Sequence, residues 1–173
     1  ELYQHTLGVI GLGRVGSIVA DRAVGMRMEV LVYDPYVTQQ AATAMGVTGV
    51  PLDELFSRSD FITLHTPLTK ETKHIINRPS IAKMKPGAYL INCARGELVD
   101  ESALYEALKS GQVGGAALDV FSSEPPENIR FTGLDNCLVT PHLGASTEEA
   151  QVEVAVEAAE ILLDAIKGGP VRN

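Results

Sequence analysis

No apolar run in this sequence approaches the ~20 residues that a membrane-spanning helix requires, and no leader peptide is legible, so a membrane partner is not expected. Cysteine is nearly absent. Cys93 and Cys137 are the only two, both in apolar stretches of strand character, which argues against a disulfide framework and for buried thiols in a cytoplasmic protein. Basic charge is short as well: 14 Lys and Arg against 22 Asp and Glu give a net charge of −8. A nucleic-acid surface needs clustered cations, so nucleic acid is not an expected partner, although local donors can still hold a small anion. His5, His65 and His74 have no Cys or carboxylate at ligand spacing, so no metal site is expected, and residues 70–73 read as a solvated face. No internal repeat, low-complexity tract or Ser/Gly linker marks a second domain.

What is present is alternation. With 173 residues and 45% hydrophobic content the chain is long enough to bury one core. Apolar segments of strand length at 6–10, 29–33, 61–64, 88–92, 116–120 and 138–139 alternate with helical periodicity at 14–26, 39–45, 52–58, 100–110 and 146–167. This predicts an α/β fold: a Rossmann-like doubly wound parallel sheet in a single three-layer αβα domain. Asp100 and Ser146 are the expected N-caps of the last two helices, Ser146 with Glu149 in a capping box. Residues 122–133, with Pro125 and Pro126, read as loop. In the last helix Val152, Ala155, Ala159, Leu162 and Ile166 share one face that needs cover, and Gly168, Gly169 and Pro170 stop it.

Gly11, Gly13 and Gly16 form GxGxxG between the first strand and the first helix. The first glycine permits a tight turn, the second lets backbone approach a pyrophosphate, and the third packs helix against sheet; the helix start offers N–H groups and a positive dipole end to phosphates. The alternative is a glycine-rich turn with no ligand. Asp34 ends the second strand about twenty residues on, where a carboxylate accepts the adenosine ribose hydroxyls and repels a 2′-phosphate. The cofactor is therefore expected to be NAD rather than NADP. A turn carboxylate before Pro35 is the other reading.

Three further segments carry a resemblance. Asn92-Cys93-Ala94-Arg95-Gly96 continuing to Val99-Asp100, Leu118-Asp119-Val120-Phe121 with Glu124-Pro125-Pro126, and Pro141-His142-Leu143-Gly144-Ala145-Ser146-Thr147 resemble the signature segments of D-2-hydroxyacid dehydrogenases. The likeness runs from Gly8 to the last helix, and HLGAST and EPP are most similar to the phosphoglycerate dehydrogenases of that family. It implies three catalytic residues: Arg95 matches the arginine that binds the substrate carboxylate and carbonyl oxygen, His142 the acid/base, and Glu124 the carboxylate paired with that histidine. The residue types suit the chemistry. A 2-hydroxy acid loses its hydroxyl proton as a hydride leaves the same carbon, which a base titrating near neutrality can assist, and a guanidinium fork matches a carboxylate. Taken singly, Arg95 also reads as a surface or salt-bridged residue, Glu124 as loop, and His142 as a structural residue ahead of the last helix.

The resemblance further implies cofactor contacts at Arg14 and Val15 beside the glycines, at Thr66 and Pro67, at Cys93, Ala94 and Arg95, at Asp119, and at His142, Gly144 and Ala145. Here too there are alternatives: Thr66 as a cap, Cys93 as a small core residue, Asp119 as a buried carboxylate bonded to backbone, and Arg14 as a backbone donor. Members of the family carry a second, substrate-binding lobe built from segments before and after the cofactor domain. Residues 1–173 are accordingly expected to be the cofactor domain alone, inactive or weak in isolation, with a small 2-hydroxy acid as substrate of the intact enzyme. A homodimer through this domain is expected, because the apolar face of the last helix and segment 131–139 need cover. Another enzyme of the family, such as a glyoxylate/hydroxypyruvate reductase, and a noncatalytic NAD-responsive binding module are the competing readings.

Overall fold

All five residues of the first strand are buried, a pattern that requires partners on both edges and cover on both faces. The computed structural model describes residues 2–124, 130–144 and 146–169. Its strands are Thr6–Ile10 (β1), Glu29–Tyr33 (β2), Thr48–Gly49 (β3), Phe61–Leu64 (β4), Ala88–Asn92 (β5), Val113–Leu118 (β6) and Cys137–Val139 (β7). Among the described residues they form one seven-stranded sheet in the order β3-β2-β1-β4-β5-β6-β7, with every pairing parallel. The helices are Arg14–Gly25 (α1), Gln39–Ala44 (α2), Leu52–Arg58 (α3), Arg78–Ile81 (α4), Glu101–Ser110 (α5) and Glu148–Ile166 (α6). The winding runs outward from β1 to β3 and then restarts at β4 on the other side of β1, so a crevice opens at the carboxyl ends of β1 and β4.

Strand periodicity divides the core. Leu7 and Val9 of β1, with Val30 and Val32 of β2, pack with Ala20 and Ala23 of α1 and Ala42 of α2 on one face. Ile10, Leu31, Ile62 and Leu90 turn the other way and pack with Leu55 and Phe56 of α3 and Leu104 of α5. Helices thus cover both faces, as the expected three-layer fold requires.

Several local expectations are corrected. α6 starts at Glu148, and its cap is Thr147 rather than Ser146: the Thr147 hydroxyl accepts the Ala150 N–H at 3.1 Å from extended backbone, whereas the Ser146 hydroxyl donates to the His142 carbonyl at 3.4 Å. β6 begins at Val113, ahead of the predicted start, because Gly114 and Gly115 disguise a strand. β3 has two residues and α4 four, too short for periodicity to reveal. Within 122–133 the structure shows a 3-10 turn at Arg130–Gly133, and residues 125–129 lie outside those described. Cys93 is exposed and Cys137 half-buried, not two buried thiols. β5 ends at Asn92, so Cys93 stands just past the strand.

The chain divides between Pro141 and His142 into two compact units. In the first, Phe131 is buried, so the need for cover across 131–139 falls on residues such as Leu138, which is 66% exposed. In the second, α6 buries no residue, and Val152, Leu162 and Ile166 are all exposed. Gly168 follows in the left-handed conformation that glycine favours, with φ +77°. Pro170 lies outside the described residues. Among those described, no helix is long and apolar enough to cross a membrane.

Candidate functional site

The glycine turn is shaped by backbone crowding on one side and openness on the other. Gly11 has φ +94°, and a Cβ there would lie 2.7 Å from the His65 carbonyl oxygen; a Cβ on Gly16 would lie 2.0 Å from the Gly11 carbonyl oxygen. At Gly13 a Cβ would meet nothing within 4 Å. Gly13 is the N-cap of α1, no side chain caps the first turn, and Arg14 and Val15 are exposed there. A diphosphate fits this arrangement: the positive helix end is at Gly13, where no atom crowds the Cβ position.

Asp34 lies just beyond β2. Its Oδ2 accepts the Leu12 N–H at 2.7 Å and its Oδ1 the Tyr36 N–H at 2.8 Å. The carboxylate therefore does organise a turn, as the alternative reading had it, yet each oxygen keeps a second lone pair for a ribose hydroxyl. A cleft of about 250 Å³ lined by Val32, Asp34, Val37, Gln39 and Val50 adjoins it.

Thr66 and Pro67 follow β4, and the Thr66 hydroxyl donates to the Pro67 carbonyl at 3.4 Å. His65, to which the sequence assigned no chemistry, sits at the reversal of the sheet. Its N–H donates to the Ile10 carbonyl at 2.8 Å, and its Nε2 lies 3.0 Å from the Thr63 hydroxyl. Burial lowers its pKa, which favours the neutral ring. The legible signal was its place directly after a strand; the pairing of β1 with β4 is what brings it beside the glycine turn.

Beyond β5, buried Asn92 holds the turn that presents Arg95. Its Oδ1 accepts the Ala94 N–H at 3.1 Å and its Nδ2 donates to the Arg95 carbonyl at 2.9 Å. Arg95 is exposed, with Nη1 donating to the Ala94 carbonyl at 2.6 Å. Partial desolvation and then the Asp119 carboxylate raise the pKa of the Cys93 thiol, which disfavours thiolate. Asp119 is buried beyond β6, and its Oδ1 accepts the Thr140 hydroxyl at 2.5 Å. The Glu124 Oε1 accepts the Phe121 N–H at 3.2 Å.

In the first unit, then, the glycine loop, Asp34, Thr66, Pro67, Cys93, Ala94, Arg95 and Asp119 all gather at the carboxyl edge of the sheet, where open α/β sheets bind ligands. His142 opens the second unit with φ +58°, a left-handed conformation uncommon outside glycine. Gly144 follows it, and Ala145 lies outside the described residues.

A family profile described as "D-isomer specific 2-hydroxyacid dehydrogenase, NAD binding domain" matches residues 1–144. A D-3-phosphoglycerate dehydrogenase of Synechocystis sp. is 54% identical over the whole chain, which spans 31% of that protein. A hydroxypyruvate reductase of Thermotoga maritima is 52% identical over 92% of the chain and 52% of its own length. Among solved structures, a D-lactate dehydrogenase of Aquifex aeolicus complexed with NAD and lactic acid matches 97% of this chain and 55% of its own, with TM-score 0.88 and 38% identity. The chain spans about a third of the length of the curated phosphoglycerate dehydrogenases it matches. On the profile match, the identity and the arrangement of its strand ends, the chain belongs to the D-isomer specific 2-hydroxyacid dehydrogenases, of which it carries the NAD-binding domain.

Proposed function

We propose that this chain is the cofactor domain of an NAD-dependent D-3-phosphoglycerate dehydrogenase, which oxidises 3-phospho-D-glycerate to 3-phosphohydroxypyruvate on the route to serine. The observation that carries this reading is 54% identity, across the entire chain, to an enzyme of that name. NAD, when bound, supplies the hydride acceptor for the substrate C2 hydrogen. The glycine turn and the start of α1 bind its diphosphate, and Asp34 binds its adenosine ribose. Arg95 holds the substrate carboxylate in its guanidinium fork and polarises the oxygen on C2. His142 takes the hydroxyl proton, and Glu124 orients the imidazole and stabilises its charged form.

A substrate lobe elsewhere in the polypeptide completes the site, so the domain alone is weak or inactive, because the substrate loses contacts and the water-excluding cleft. We further propose a cytoplasmic homodimer that pairs through this domain. Exposed Leu138 and the apolar face of α6 support the pairing. A substrate panel on the full-length protein, read by NADH absorbance, tests the assignment: 3-phosphoglycerate should be the preferred hydroxy acid. Preference for hydroxypyruvate or glyoxylate would favour the reductase reading, to which the 52% identity with the Thermotoga maritima enzyme lends weight. NAD binding with no turnover of any 2-hydroxy acid would favour a noncatalytic NAD-responsive module.

A further inference from the structure

The Leu12 N–H lies inside the glycine turn, beyond the β1 ladder, its hydrogen bond partly buried and its side chain in the core. A donor in that position destabilises the turn unless it finds an acceptor. It finds a charged one, the Asp34 Oδ2 at 2.7 Å, from a residue 22 positions away. The carboxylate is itself held, because its Oδ1 accepts the Tyr36 N–H at 2.8 Å. A second tie runs alongside: the Gly11 N–H donates to the Tyr33 carbonyl at 2.9 Å. On the opposite side the Gly11 backbone rests against His65, leaving no room for a Cβ.

From this geometry we infer that Asp34 is a positioning residue for the diphosphate-binding turn: through the Leu12 N–H it holds the turn in its binding shape, independently of any contact with the ribose. The inference rests on the NAD-binding reading and deepens it. It separates two effects that substitution of Asp34 would otherwise merge, the loss of ribose hydrogen bonds and the loosening of the turn that meets the diphosphate.

The test is a double cycle with NAD and an NAD analogue that carries 2′,3′-dideoxyadenosine, titrated calorimetrically against wild type, Asp34→Ala and Asp34→Asn. If Asp34 acted only on the ribose, wild type and Asp34→Ala would bind the dideoxy analogue equally. We expect Asp34→Ala to bind it about tenfold more weakly, the scale of a lost charge-assisted hydrogen bond. Asp34→Asn, whose single amide oxygen can accept the Leu12 N–H while its NH2 gives up the Tyr36 N–H, should recover part of that loss. Hydrogen exchange in the absence of ligand gives a second readout: Leu12 N–H protection should fall in Asp34→Ala and return in Asp34→Asn. Equal analogue affinities, or unchanged Leu12 protection, would overturn the inference while leaving NAD binding intact. Failure of the wild type to bind NAD at all would instead overturn the reading on which it rests.

Discussion

The Glu101 carboxylate accepts the Ser122 N–H at 2.8 Å, tying the first turn of α5 to the loop that leads to Glu124. The same loop passes so close to Gly96 that a Cβ there would lie 1.9 Å from the Phe121 carbonyl carbon. Both anchors fall next to Arg95 or in the helix that follows it, so the backbone around Arg95 carries the segment that leads to Glu124. Gly96→Ala should lower stability by about 2–3 kcal/mol, since the clash is with backbone and cannot be relieved by a rotamer change. Urea denaturation measures it, and a loss within experimental error would contradict the tight approach.

Gly13→Ala provides the contrast. Open space surrounds its Cβ position and its backbone is extended, at φ −74° and ψ −161°, so stability should change by less than about 1 kcal/mol. NAD affinity should nonetheless fall about tenfold, because the new methyl group occupies the approach of the diphosphate and a steric cost of ~1.4 kcal/mol suffices for that factor. Unfolding and calorimetry on the same sample separate the two effects.

Cofactor preference follows from charge. Asp34 borders the cleft beyond β2, where a 2′-phosphate would meet its carboxylate. NADP should therefore bind about tenfold or more below NAD, the lower end expected for like charges at partly solvated separation. Parallel titrations decide, and equal affinities would contradict the role given to Asp34.

Stability against acid should depend on the opposite end of the sheet. Burial opposes ionisation of Asp60, but Lys85, the Thr6 N–H and His5 outweigh it and hold the carboxyl below its usual range. A carboxyl with a depressed folded-state pKa contributes stability that is complete above its unfolded value, ~3.9, and is lost as pH falls through the folded value. Asp60→Asn should cost about 1–2 kcal/mol at pH 7, with the difference from wild type closing in strong acid. NAD affinity should be unaffected, because Asp60 precedes β4, away from the carboxyl edge. Denaturation at pH 7 and pH 2 checks the sign.

In the full-length enzyme His142→Ala should reduce kcat about a hundredfold or more, the scale of general acid/base catalysis, with NAD affinity little changed. On the proposed roles Glu124→Ala acts through the same proton transfer, so adding it to His142→Ala should do little further harm. Steady-state kinetics of the two single variants and the double variant would contradict the pairing if their effects multiplied.

The sequence by itself determined whatever depends on near neighbours along the chain. Alternating apolar segments specified a parallel sheet covered on both faces, and the spacing of Gly11, Gly13 and Gly16 specified the turn, because the left-handed φ of Gly11 and the Gly11 carbonyl that blocks a Cβ on Gly16 are local, whereas the His65 backbone that blocks one on Gly11 arrives from β4. Cap choice failed between adjacent candidates, since Ser146 and Thr147 have the same chemistry and only their backbone angles and the turn after His142 distinguish them. The tertiary structure alone decided the links between distant segments: Asp34 to Leu12, Asp119 to Thr140 and Glu101 to Ser122. All three span 21 or 22 residues. Strand order brings those pairs together, and local pattern carries no record of which carboxylate will meet which backbone N–H. Asp34 shows the consequence: its spacing from the glycines marks it as a ribose ligand, and only the pairing of β1 with β2 places it where it can also hold the turn.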